Sequence, residues 1–250
     1  MPRRCPGFTM VELMIVMAII ALLVAIAIPG LLAAQRSSNE RSASASLKTI
    51  VTAQTDFNCS DRDNNRIRDY WTADVYGLYG LYPLDSAGTV PPDGTTIGDA
   101  IRLIEPSLAT ADGQEDATGA SYGNVSPPAS IILFAPKAGF VYRAFASMET
   151  SVGAPTTLLN DTDTGGLGPV HDTNRYAVMA APENLGTGRV LFMVSTDGII
   201  YKYTLPAGYS SGYTGGTTST TTITGTGQAA FNAASVFPAA PSSLGCAKLD

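Results

Sequence analysis

The apolar and polar positions of this chain divide it into an unbroken apolar run, a helix-period stretch and a strand-rich remainder. From Leu13 to Ile28 every side chain is apolar, and Phe8 to Val11 extend that run upstream. At ~1.5 Å per residue, roughly 20 such residues suffice to cross a bilayer as a helix. Pro29-Gly30 then interrupts the pattern and predicts a kink or a locally melted turn. Beyond it, Ala43, Leu47, Ile50, Val51, Gln54 and Phe57 recur at three- and four-residue steps, with Arg41, Ser44, Ser46, Lys48 and Thr52 between them. That is an amphipathic helix running to about Phe57, whose apolar stripe needs a sheet to lie on. The rod from Phe8 to Phe57 would be about 75 Å long.

Residues 58–85 are turn-rich and aromatic, with Tyr70, Trp71, Tyr76, Tyr79 and Tyr82 expected to pack against the helix and the sheet edge. Residues 86–129 are rich in Gly, Pro, Asp and Ser, with one helical pattern from Ile97 to Leu108. Strands follow at 130–134 and 139–145 around a turn at Pro136-Lys137-Ala138. A meander comes next: 175–180, a Gly-rich turn at 186–188, 189–194, an Asp197-Gly198 hairpin signal, and 199–203. Consecutive hairpins mean an antiparallel sheet. The Thr/Gly/Ser tract at 213–227 reads as a solvated loop or irregular strand.

Composition narrows the class. Of 250 residues only 14% are charged, and the formal net charge is -6. An acidic chain without basic runs excludes nucleic acid as an inferred partner, because phosphate binding needs clustered Lys and Arg. The length beyond residue 58 suffices for one medium-sized domain with its own core.

The N-terminus is the most specific segment. Arg3 and Arg4 precede the apolar run, which puts the N-terminus on the cytoplasmic side. A secretory signal peptide would use Ala25-Ile26-Ala27 as its cleavage site, but the apolar run is long and begins with Glu12. A plain membrane anchor accommodates the length and leaves Glu12 unexplained, although a carboxylate in such a segment usually marks function. Gly7-Phe8-Thr9-Met10-Val11-Glu12, behind a short basic leader, resembles the type III signal of type IV pilins and type II secretion pseudopilins. The resemblance is closest over residues 1–85, where DRDNNRIRDYW is similar to a group of large-headed bacterial pilin-like proteins. It is weaker over 174–203, where only the order of strands and turns is shared.

The resemblance implies cleavage after Gly7 by a prepilin peptidase and methylation of the new terminus at Phe8. It gives Glu12 the fifth mature position and Pro29 the twenty-second. Physically, an ionised Glu12 in apolar surroundings needs an opposite charge, which the free amine of Phe8 supplies, within one chain or between neighbours. The implied organisation is a leader at 1–7, a transmembrane and assembly helix at 8–29, an amphipathic helix half at 30–58 and a globular head at 59–250. The implied fold is α+β and pilin-like, a long N-terminal helix packed on an antiparallel sheet. The implied function is a structural filament subunit, not an enzyme, held in the inner membrane by one span before assembly with identical or related subunits. Surface pilus and periplasmic secretion pseudopilus remain open, as does an anchored ectodomain that does not polymerise.

Three further features carry candidate chemistry. Asp61, Asp63, Asn65, the carbonyl of Ile67 and Asp69 fall on positions 1, 3, 5, 7 and 9 of a calcium-loop spacing. Arg66 replaces the usual Gly at position 6 and Thr72 the bidentate Glu at position 12, so Ca2+ competes with a solvated polar turn. Some pilins and pseudopilins carry a head calcium. Cys5 lies in the leader, which leaves Cys59 and Cys246 as a disulfide pair in an oxidising compartment, or as two separate thiols. Gly119-Ala120-Ser121-Tyr122-Gly123 matches a nucleophile elbow but lacks the strand and helix that motif requires. His171, beside Asp172 in a Gly/Pro stretch, reads as exposed.

Overall fold

A computed structural model describes residues 8–83, 100–112, 135–145, 147–151, 154–157, 171–205, 236–237, 241 and 246–249. The leader, the elbow around Ser121, the strand expected at 130–134 and the tract at 213–227 lie outside the described residues.

Helix α1 spans Met10–Ser60. It opens on a capping box. The N–H and hydroxyl of Thr9 donate to the Glu12 carboxylate at 2.9 and 2.8 Å, and the Glu12 N–H donates back to the Thr9 hydroxyl at 3.2 Å. The local melting that Pro29-Gly30 could have caused does not occur, and the helix runs through both residues. Proline removes one N–H from the ladder at a cost of about 3 kcal/mol, which the turns on either side of it absorb. The helix also continues three residues past Phe57. Asp61 ends it in the left-handed region, at φ 45° and ψ 60°.

The second half of α1 buries Ala43, Leu47, Ile50, Gln54 and Phe57 of the expected stripe, while Val51 is half-buried and Ser46, expected on the polar face, and Ala53 are buried with them. It lies on a five-stranded antiparallel sheet made of β2 (Phe140–Ala144), β6 (Ala177–Pro182), β7 (Val190–Ser195), β8 (Ile200–Thr204) and β10 (Ala247–Lys248), in the order β10-β8-β7-β6-β2. Alternate residues sort the sheet into two faces. Tyr142, Val178, Ala180, Phe192, Val194 and Ile200 join the helix in one core. Ala177, Met179, Leu191, Met193 and Tyr201 face a second core with Phe145, Phe237 and Cys246. Both faces are covered, which is why β6 is buried at every position.

The turn before β2 is a two-residue hairpin in which Lys137 and Phe140 exchange both backbone hydrogen bonds at 3.0 Å. Ala138 and Gly139 sit at φ 51° and 72°, as a type I′ turn requires. Of the helix expected over 97–108, the described residues from 100 onward form only the helical turn Pro106–Ala109. Pro106 forces Glu105 into an extended conformation, so it starts a helix where the periodicity placed the middle of one. Two smaller sheets are present among the described residues. β3 (Ser147–Ser151) pairs antiparallel with β4 (Ala154–Thr157) and parallel with β9 (Val236–Phe237). β1 (Tyr70–Trp71) pairs with β5 (His171–Asp172).

Candidate functional site

The uncovered half of α1 is the first candidate. Seventeen large apolar side chains between Phe8 and Leu32 are exposed, from 45% at Val24 to 82% at Met10. Each is worth about 1.5–3 kcal/mol when buried, so this surface requires lipid or other apolar helices around it. By length and hydropathy the helix qualifies as a membrane span, and the apolar window is not covered by any part of the described chain. Glu12, four residues beyond Phe8, is the acidic residue of its first turn and is held by the Thr9 capping box. Pro29 lies in the same uncovered stretch, and Gly30 has open space where a Cβ would stand.

The second candidate is the turn after α1. Its side chains alternate as the sequence spacing implies: Asp63 and Asp69 are buried, Asp61, Asn65 and Ile67 are half-buried, and Arg62, Arg66 and Arg68 are exposed. Arg66 stands at φ 70°, in the conformation for which a calcium loop uses Gly. The Asp61 carboxylate accepts from the Arg66 N–H at 3.1 Å. Asn65 Oδ1 accepts from the Ile67 N–H at 2.7 Å, and Asn65 Nδ2 donates to Asp69 at 3.0 Å. Asp61, Asn65 and Ile67 therefore shape the turn through these bonds.

Asp63 and Asp69 converge on a residue that sequence reasoning placed in solvent. His171 is completely buried, with Nδ1 3.2 Å from Asp69 Oδ1 and 3.6 Å from Asp63 Oδ2. The β1–β5 register pairs His171 with Trp71, which sets the imidazole beside the carboxylate two residues upstream. The Trp71 ring meets it edge-on at 5.2 Å, and Phe57 of α1 packs at 6.1 Å. The one signal available in sequence was the apolar Val170 before the His-Asp pair, too weak to predict a buried strand. Burial drives the Asp63 carboxyl above its ordinary pKa; His171 opposes this, and the charges of Asp69 and Asp61 add to it.

The cysteines are not joined. Cys59 is exposed at the end of α1, whereas Cys246 is buried in the core on the sheet face away from that helix. Pairing of β10 with β8 holds Ala247 and Lys248 at the edge of the sheet.

A long N-terminal helix, half bare and half laid on antiparallel sheets, is an α+β pilin-like architecture. The prokaryotic N-terminal methylation motif matches residues 2–28, covering Gly7, Phe8 and Glu12. The chain is 51% identical over 54 residues to the type IV major pilin protein PilA of Myxococcus xanthus, over 22% of this chain and 24% of that protein. It is 48% identical over 52 residues to the type IV wide pilus major component PilA4 of Thermus thermophilus, over 21% of this chain and 40% of that protein. The chain thus matches less than half the length of either relative, and no solved structure gives a significant match.

Proposed function

We propose that this chain is a structural subunit of a type IV pilus filament. In this reading it is cut after Gly7 by a prepilin peptidase, methylated at Phe8, and held in the inner membrane by α1 until it joins copies of itself or related subunits. The observation that carries the proposal is the bare apolar half of α1, continuous with a half that is already fixed to the head. Lipid solvates this surface first and neighbouring helices replace lipid in the filament, so one segment serves as anchor and then as polymer core. Both relatives are pilus components by name, which favours a surface pilus over a secretion pseudopilus.

The Thr9–Glu12 box adds a physical role for Glu12. Two donors from Thr9 solvate the carboxylate where water is scarce, lowering the cost of keeping it charged until the Phe8 amine of the same or a neighbouring chain pairs with it. The test is Glu12→Ala expressed beside the wild type. Normal membrane insertion and leader removal with filament yield reduced about tenfold or more is expected, since loss of a buried charge partner costs several kcal/mol. Undiminished filaments would refute the role.

A further inference from the structure

We propose that Asp63, Asp69 and His171 bind a divalent cation of the zinc class, fastening the turn after α1 to β5. The inference is independent of filament assembly. One ligand atom from each residue lies within 4.8 Å of the others, and all three side chains are buried.

The decisive observation is Asp63. It has no exposed surface, and neither carboxylate oxygen accepts a hydrogen bond. A buried carboxylate without donors is costly by several kcal/mol unless an opposite charge lies against it. The neighbouring arginines do not provide that charge, because Arg62, Arg66 and Arg68 face solvent and Arg62 pairs with Asp56 at 2.7 Å. The His171 imidazole, 3.6 Å from Asp63 and 3.2 Å from Asp69, carries at most one positive charge against two carboxylates. A cation between Asp63, Asp69 and the imidazole would satisfy the carboxylate. It would also link residues separated by 102 positions in sequence.

The donor set chooses the ion. Calcium takes oxygen ligands, whereas imidazole with carboxylates suits zinc and its transition-metal neighbours. Two carboxylates and one imidazole leave room for a water or a backbone carbonyl as the fourth ligand of a tetrahedral site.

The test uses the mature full-length chain in detergent micelles, with Cys59→Ser introduced so that the exposed thiol cannot hold metal. After treatment with a chelator, zinc sulfate is added, excess is removed, and bound metal is counted. One zinc per chain is expected, with the melting temperature raised about 5–10 °C at zinc ~100-fold above Kd and lowered again by chelator. Asp63→Asn keeps the shape of the side chain, and its folding is followed by circular dichroism. It and His171→Gln should each weaken zinc at least about tenfold, the lower bound seen even for groups that only support a ligand. Absence of stoichiometric zinc, with melting unmoved by metal or chelator, would overturn the site. Calcium stabilising wild type and His171→Gln alike would also overturn it, in favour of an oxygen-only loop. So would an Asp63→Asn variant that melts above a metal-indifferent wild type, since the three groups would then be sharing protons.

Discussion

The side-chain amide of Gln54, on the buried face of α1, closes two hydrogen bonds on the backbone of Trp71. Its Nε2 donates to the Trp71 carbonyl at 2.6 Å, and its Oε1 accepts from the Trp71 N–H at 3.1 Å. The helix thereby satisfies the edge of β1 that β5 does not, and fixes the strand that positions His171. Gln54→Ala would leave a buried donor and acceptor unpaired, at about 1–3 kcal/mol each. We expect a loss of about 2–4 kcal/mol in chemical denaturation of the detergent-solubilised chain; a loss below 1 kcal/mol would show that water replaces the amide.

Gly77 lies directly under the Trp71 indole, where a Cβ would stand 2.1 Å from Nε1. The indole is pinned there, since its Nε1 donates to Asp74 at 2.8 Å. Gly77→Ala must therefore displace a fully buried ring. Destabilisation of about 1–3 kcal/mol or more is expected, with altered Trp fluorescence as its signature. An unchanged emission maximum and melting temperature would mean that the helix Gly77–Gly80 shifts freely.

Asp74 predicts a pH dependence. Burial raises its carboxyl from the ordinary value of 3.8 to about 6, against the lowering effect of the Trp71 and Gly77 hydrogen bonds. The folded state therefore holds this proton more tightly than the unfolded chain. Its contribution is fully present below pH 3.8 and is lost as pH rises through about 6. Melting curves between pH 4 and 7 should fall less steeply for Asp74→Asn than for the wild type. Parallel curves would place the ionised group in contact with water.

The two cysteines differ in reactivity. Burial pushes the Cys246 thiol up to about 11, so it is protonated and shielded at neutral pH, while Cys59 is exposed. A thiol reagent should label Cys59 alone in the folded mature chain and both after unreduced denaturation. No labelling after denaturation would restore the bridge between them.

Much of this architecture was legible because its periods are simple. The three- and four-residue spacing from Ala43 to Phe57 found the buried helical face, and Asp197-Gly198 located the turn between β7 and β8. The alternation from Asp61 to Asp69 separated inward carboxylates from outward arginines. Misreadings arose where a local pattern met a long-range partner. His171 looked exposed because its burial comes from Trp71 and Phe57, far away in sequence. Pro29 looked able to melt the helix because local rules count one lost hydrogen bond and not the helix on both sides.

The filament account rests on which residue begins the mature chain, and intact-mass analysis of the protein from sheared surface fractions measures that directly. The predicted result is a chain starting at Phe8 with one added methyl group, recovered in fibres. A chain starting after Ala27, or one retaining residues 1–7, would contradict the account.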